Sequence, residues 1–249
     1  MIPIEPPFDK AFTDKVHRDA TALCEEITGY FYNQKIQINE IIFVPMIIFA
    51  RIIRLRDAAL TLTSGGFPTE AGILVLSQFE AKLDLVQAAR DVQWAASWLG
   101  HRNTKQSVTK NMTDAICRVF SEEQEQSVER SIFRYLSAIK HGNPASSELG
   151  FQVRRIQTSI VVSTGELADA TTRATSAMIG DYATYQLAWA AQGLNVTTGR
   201  YARCSPTTTQ AVQENRQRIS EFAKLFNLFL ASWVEGRAGH LDIASRHKR

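Results

Sequence analysis

The chain has 249 residues, of which 45% are hydrophobic and 21% are charged, an ordinary composition for one sizeable globular domain or two small ones. Its 28 basic and 25 acidic side chains leave a net charge of +3, which excludes a broad basic surface for nucleic acid, so any such contact is expected to be local. Three widely spaced cysteines, Cys24, Cys117 and Cys204, predict reduced thiols in a cytoplasmic protein and not a disulfide framework or a zinc site.

Apolar residues at helical spacing predict a first helix over residues 8–32, followed by a connection over 33–39. The most hydrophobic stretch, residues 41–50, is followed at once by arginines and has about half the length of a membrane-spanning helix. We therefore expect a buried core helix that continues to Thr63, and no membrane association. The first ten residues lack a basic segment followed by an apolar one, so no signal peptide is predicted.

A third helix is predicted to begin at Pro68, because the sequence Ser64-Gly65-Gly66 before it is typical of a helix end. Its expected core row repeats at helical spacing and consists of Ile73, Leu76, Phe79, Leu83 and Val86. Residues 91–99 continue or restart this helix, and a break follows at Gly100. A shorter helix is predicted over 104–120, with Cys117 packed into the core.

The stretch from Ser121 to Asn143 has the clearest helix signals in the chain. Ser121 and Gln124 match a capping box, and Gly142 followed by Pro144 matches a helix end. At about 100° per residue, one face is apolar and consists of Val128, Ile132, Tyr135, Leu136 and Ile139. The opposite face, called here the polar stripe, consists of Arg130, Arg134, Ser137 and His141.

The polar stripe contains the residue types that phosphodiester chemistry needs. Arg134 and His141 are seven residues apart, or about two turns, and therefore point to the same side with Ser137 between them. A guanidinium holds a phosphate and offsets developing charge. An imidazole transfers the proton of a ribose 2′-hydroxyl or of the leaving oxygen. The alternative interpretation is a solvated helix face on which His141 is a favourable C-terminal residue.

The segment Arg134-Tyr-Leu-Ser-Ala-Ile-Lys-His141 resembles the R-x(4–6)-H motif of the HEPN superfamily of all-helical domains. Upstream, Arg56-Asp-Ala-Ala-Leu-Thr-Leu, the segment Gly66 to Ala71 and the pair Phe79-Glu80 resemble a bacterial group with a HEPN-like helical core. The resemblance covers about residues 40–145. It implies a metal-independent endoribonuclease of the kind found in toxin–antitoxin and antiviral defence systems. It also implies RNA as substrate, a homodimer, and an antitoxin or sensor protein as a partner.

The candidate site residues follow from the stripe and the resemblance together. The expected catalytic residues are Arg134, His141, Ser137 and Glu80, and the expected substrate-binding residues are Arg130, Lys140 and Asn143. Glu80 lies beside the core row of its helix, where its carboxylate orients Arg134 or His141, or else forms a structural ion pair with Arg51, Arg54 or Arg56. No cofactor and no metal ion are expected, since the other histidines have no partner at metal-ligand spacing.

After Pro144 the pattern changes. Residues 150–164 are rich in β-branched side chains and alternate in part, which predicts an extended excursion or a short β-hairpin. Helices are predicted over 166–194 and 209–236, with a loop between them and a frayed end over 239–249. The expected architecture is an all-α bundle of six to seven helices in a single domain over 1–249. Its core spans about 40–145, with a C-terminal helical extension over 166–236.

The favoured function is therefore a metal-independent endoribonuclease of HEPN type that acts in the cytoplasm. One alternative is a non-catalytic helical module that senses a ligand or binds a protein. Another is a HEPN-like scaffold without catalytic activity. Cleavage of RNA in EDTA distinguishes the enzyme from both alternatives, because neither of them requires a working Arg134 and His141.

Overall fold

The structure is a computed structural model that describes residues 8–35, 40–100, 112–120, 123–140, 151–156, 159–164, 170–199 and 201–220. The helices of the first part are α1 (Lys10–Gln34), α2 (Glu40–Ser64), α3 (Pro68–Arg90), α4 (Val92–Gly100), α5 (Met112–Val119) and α6 (Glu123–Lys140). After them come the strands β1 (Phe151–Ile156) and β2 (Ser159–Thr164), helix α7 (Ala170–Thr198) and helix α8 over 206–220. The predicted all-α class is confirmed.

Helix ends lie where local backbone chemistry requires them. The Asp9 side chain caps α1 by accepting a hydrogen bond from the Phe12 backbone N–H at 2.7 Å. Lys35 ends α1 in the left-handed conformation, with φ of 51°. Gly66 has φ of 85° in the turn after α2, a conformation that glycine adopts without steric cost. Pro68 then begins α3, as predicted.

Helix α3 is the element around which the others pack. It contacts α2, α4, α5, α6 and α7, and it is therefore buried around most of its circumference. Of its predicted core row, Leu76, Phe79, Leu83 and Val86 are buried. The prediction for Ile73 was wrong, because this side chain is 37% exposed. Ile73 lies in the N-terminal half of α3, where it is only partly covered.

The hydrophobic stretch over 41–50 forms the first half of α2 and belongs to the core, as predicted. Ile42, Val44, Ile48 and Phe49 are buried, while Phe43 is 46% exposed. Helix α2 packs along α3 and against α7. Across the described ranges, none of the helices combines the length and the apolar character that crossing a bilayer requires.

The segment over 150–164 contains the two strands. They pair antiparallel, with a register that runs from Phe151 opposite Thr164 to Ile156 opposite Ser159. Further on, α7 extends to Thr198, beyond the predicted end at 194, and α8 already begins at 206. The loop predicted over 195–208 is correspondingly shorter. The predictions for 104–111, the capping residue Ser121 and 221–249 lie outside the described residues, and the single domain over 1–249 stays a prediction.

Candidate functional site

Helix α6 separates into an apolar and a polar face, as the sequence predicted. Every member of the predicted apolar face is at most 5% exposed: Val128, Ile132, Tyr135, Leu136 and Ile139. The face packs onto α3, where the rings of Phe133 and Phe79 stack with centroids 6.0 Å apart. Near the other end, Gly72 of α3 lets Ile139 approach so closely that a Cβ on residue 72 would lie 3.0 Å from Ile139 Cδ1. The buried face therefore determines which side chains of α6 point outward.

The described part of the polar stripe points away from this packing surface. Arg134 is exposed and Ser137, three residues further on, is half-buried. Lys140, at the last turn of α6, is exposed. Arg134 makes no hydrogen bond or ion pair with any other residue that the structure describes. Because its side chain is exposed, its guanidinium is accessible to an anion from solution, which is the property that a phosphate-binding arginine needs.

Arg130 differs from Arg134 in being held within the fold. Its Nη2 donates hydrogen bonds to Gln126 Oε1 at 3.1 Å and to Cys117 Sγ at 2.9 Å. Gln126 in turn donates through Nε2 to the Phe120 carbonyl at 2.8 Å. The prediction that Cys117 packs in the core was wrong, since its side chain is exposed and accepts from Arg130. Arg130 joins α5 to α6, and because its Nε is buried, only Nη1 is left for a substrate.

Glu80 is half-buried on α3. Within the described ranges its carboxylate forms no ion pair with Arg134, and none with Arg51, Arg54 or Arg56. The guanidinium of Arg56 binds elsewhere: Nη1 donates to Asp57 Oδ1 at 2.8 Å and Nη2 donates to the Thr13 carbonyl at 2.7 Å. The structure therefore pairs Glu80 with none of these arginines, and its other predicted partner, His141, lies outside the described residues.

His141 and Asn143, the two predicted site residues at the end of the stripe, lie outside the described residues. The structure accordingly brings Arg134, Ser137 and Lys140 onto the outer side of one helix and leaves the histidine unplaced. Among the residues with described positions, no three His, Cys, Asp or Glu side chains form a group suited to a metal ion.

Sequence reasoning missed a buried ion pair beneath the stripe. Lys82 of α3 and Glu129 of α6 are 0% and 1% exposed, and Lys82 Nζ donates to Glu129 Oε2 at 2.9 Å. Two tyrosines of α7 also donate to this carboxylate, Tyr185 at 2.9 Å and Tyr182 at 3.4 Å. Burial, together with the negative charge of Glu129, raises the pKa of Tyr182 well above its ordinary value. The Tyr182 hydroxyl therefore keeps its proton and can donate over the physiological pH range.

Aromatic rings surround the ammonium group of this ion pair. Lys82 Nζ lies over four rings at centroid distances of 5.0, 5.0, 5.5 and 5.2 Å, those of Phe79, Phe120, Tyr185 and Trp189 respectively. Each ring face attracts a cation. We call the ion pair, its two tyrosine donors and these rings the Lys82 cage. It joins α3, α6 and α7 in the centre of the molecule.

The sequence did contain a signal for this cage. Lys82 follows Phe79 by three residues and precedes Val86 by four, so it falls on the predicted apolar face of its own helix. Glu129 stands beside Val128 and three residues before Ile132, on the edge of the apolar face of α6. A lysine and a glutamate on two apolar faces indicate a buried ion pair, although spacing alone does not say that the two faces meet.

A second buried acid lies on α7 next to Tyr182. Asp181 is 5% exposed, and its Oδ2 has no hydrogen-bond partner among the residues that the structure describes. Burial raises the pKa of Asp181 to about 8 from the ordinary value of 3.8. The carboxyl group is therefore protonated and neutral over most of the physiological range.

Comparison with known proteins adds no relative to this description. No protein-family model matches the chain, and neither a curated protein nor a solved structure matches it. The fold by itself defines the class of the protein: an all-α bundle in which the described part of the polar stripe of α6 faces outward.

Proposed function

We propose that the protein is a metal-independent endoribonuclease of HEPN type, with the polar stripe of α6 as its active surface. The observation that carries the proposal is the environment of Arg134. Its guanidinium is exposed on the side of α6 opposite a fully buried apolar face. An exposed arginine on a well-packed helix is suited to make a bidentate contact with a phosphate and to offset the charge that develops during cleavage.

In this mechanism Arg134 binds the scissile phosphate, and Ser137 and Lys140 add a hydroxyl and a cation on the same helix. His141 moves the proton of the ribose 2′-hydroxyl or of the leaving oxygen. The 2′-oxygen forms a bond to phosphorus while the bond from phosphorus to the 5′-oxygen breaks. The products are a 2′,3′-cyclic phosphate and a free 5′-hydroxyl, and the reaction requires no metal ion.

The proposed active form is a homodimer in which two polar stripes meet at a two-fold axis. One stripe contains a single histidine, whereas cleavage needs both a base and an acid around one phosphate. Two copies supply both, together with arginines from each chain. Their mutual repulsion is offset by the RNA phosphate or by Glu80. A cytoplasmic role in defence or as a toxin, with an antitoxin or sensor as partner, belongs to the same proposal.

The experiment that tests the proposal is cleavage of RNA in EDTA by the wild-type protein and by stripe variants. His141→Ala is expected to lower the rate by roughly 10²–10⁴-fold. Arg134→Ala is expected to abolish cleavage, and Arg134→Lys is expected not to restore it, because lysine lacks the bidentate geometry. The matched control is Arg54→Ala, which removes an exposed arginine from α2 and is expected to cleave like the wild type.

Folded, pure wild-type protein that leaves RNA intact contradicts the proposal and favours the non-catalytic module. Cleavage that survives Arg134→Ala contradicts the role of the stripe. The dimer is tested by light scattering and by mixing His141→Ala with Arg134→Ala subunits. Recovery of activity on mixing supports a site composed of both chains, and a monomer at micromolar concentration overturns it.

A further inference from the structure

The Lys82 cage joins three helices through buried charges, and burying charges has a large desolvation cost. Moving a carboxylate and an ammonium out of water costs more than burying apolar side chains of the same size, and the attraction within the pair often does no more than offset this. Stability alone therefore gives no reason for Lys82 and Glu129 to stand where two apolar side chains would pack. An interaction that has no advantage in stability still distinguishes one arrangement of helices from another.

Two further contacts between α6 and α3 are apolar. Phe133 stacks on Phe79, and Ile139 packs against Gly72. Apolar side chains of similar volume exchange places at low cost, so such contacts specify the rotation of a helix weakly. Glu129 has a stricter requirement, because rotation of α6 by one residue brings Val128 or Arg130 to Lys82 Nζ. Either change leaves a buried ammonium without its carboxylate.

We infer that the Lys82–Glu129 pair fixes the exact rotation and register of α6 on α3, within the range that its buried apolar face allows, and thereby positions the polar stripe. Arg134 follows Glu129 by five residues, about 140° further around the helix. The Glu129 carboxylate is held against Lys82, Tyr182 and Tyr185. This fixes the rotation of α6, so that the Arg134 side chain points outward. Glu129 and Lys82 are positioning residues that do not touch the substrate. That the pair serves to position a catalytic stripe rests on the proposed function. Its effect on the rotation of α6 does not.

The test separates positioning from stability by replacing both members of the pair with apolar residues. Lys82→Met/Glu129→Leu removes the charges and keeps the volume, so the fold is expected to persist with unchanged or higher resistance to urea. The isoleucine methyl groups of Ile132 and Ile139 then report on α6 by NMR. In the wild type each is expected to give one resonance. In the double variant each methyl group is expected to give a second resonance, with about a tenth or more of the intensity of its main resonance, because α6 then populates a second rotation.

The matched control is Gln78→Met. Gln78 is buried on the same helix, and its Nε2 donates to the carbonyls of Ala183 and Ile52, at 3.0 and 3.4 Å, so it joins α3 to α7 and α2 but not to α6. This variant is expected to keep single α6 resonances. If the double variant fails to fold, Lys82→Leu/Glu129→Met, a second uncharged pair of similar volume, is measured in the same way, with the same expectation.

Single, wild-type resonances in a folded double variant overturn the inference, as does equal splitting in Gln78→Met. The readout uses no RNA, so it remains valid if the chain proves not to be a nuclease. If the wild type cleaves RNA, the double variant is expected to cleave more slowly although it is stable. Splitting of α6 resonances without any wild-type cleavage supports the positioning device and contradicts only the proposed function.

Discussion

Lys82 and Glu129 are 47 residues apart in the sequence, yet their charged atoms lie 2.9 Å apart with both side chains out of contact with solvent. The two residues differ in the other groups that surround their charges. Four ring faces remain around Lys82 when Glu129 is changed. Glu129 keeps the two tyrosine donors when Lys82 is changed but loses the cation that balances its charge.

This inequality predicts different costs for the two single substitutions. Lys82→Met leaves a buried carboxylate without its cation and is expected to lower the free energy of unfolding by about 3–5 kcal/mol. Glu129→Gln leaves the ammonium among the rings, which attract it, and is expected to cost less. Urea denaturation measures both values. Equal losses, or a larger loss for Glu129→Gln, would show that the rings do not stabilise the ammonium.

Asp181 predicts a pH dependence with a definite sign. Burial raises its folded-state pKa to about 8, from an ordinary value of 3.8, so the folded protein retains a proton that the unfolded chain releases. The stability that this group contributes is present in full below pH 3.8. It declines as pH rises and is lost once pH passes the folded pKa.

Asp181→Asn is expected to remove this decline, because the amide does not titrate. Relative to the wild type, the variant is expected to gain stability as pH rises from about 4 to 8, by up to several kcal/mol at about 1.4 kcal/mol per pH unit. Thermal unfolding at a series of pH values measures the difference. A difference that is the same at both ends of the range would mean that the pKa of Asp181 is not raised.

Replacement by aspartate is expected to have opposite results on the two faces of α6. Ile132 is 1% exposed and Arg134 is exposed. Ile132→Asp puts a charge into the core and is expected to unfold the protein, whereas Arg134→Asp is expected to leave the circular dichroism spectrum and the melting temperature almost unchanged. A well-folded Ile132→Asp protein would show that the faces are assigned the wrong way round.

Much of the fold follows from local pattern. Helical spacing predicted the buried face of α6, and Pro68 predicted the start of α3, because both depend on residues close together in the chain. The errors have a different origin. Whether Ile73 is covered, or whether Cys117 faces Arg130, depends on which helices pack beside each residue. Sequence spacing within a single helix does not contain that information.

The candidate site divides in the same way. The outward direction of Arg134 could be predicted, since it follows from the apolar face on the other side of α6. The pairing of Lys82 with Glu129 could not, because their positions on two apolar faces indicate burial but spacing within each helix does not say that the two faces meet. The absence of an ion pair between Glu80 and Arg134 likewise depends on how α3 and α6 pack.

The most direct measurement of the central claim is incubation of the wild-type protein with two substrates of one sequence, RNA and 2′-O-methyl RNA, in EDTA. If the 2′-hydroxyl attacks phosphorus with help from the stripe, RNA is cut to products with 2′,3′-cyclic phosphate ends, the methylated strand stays intact, and Arg134→Ala cuts neither. Intact RNA, or equal cleavage of both strands, would contradict the claim.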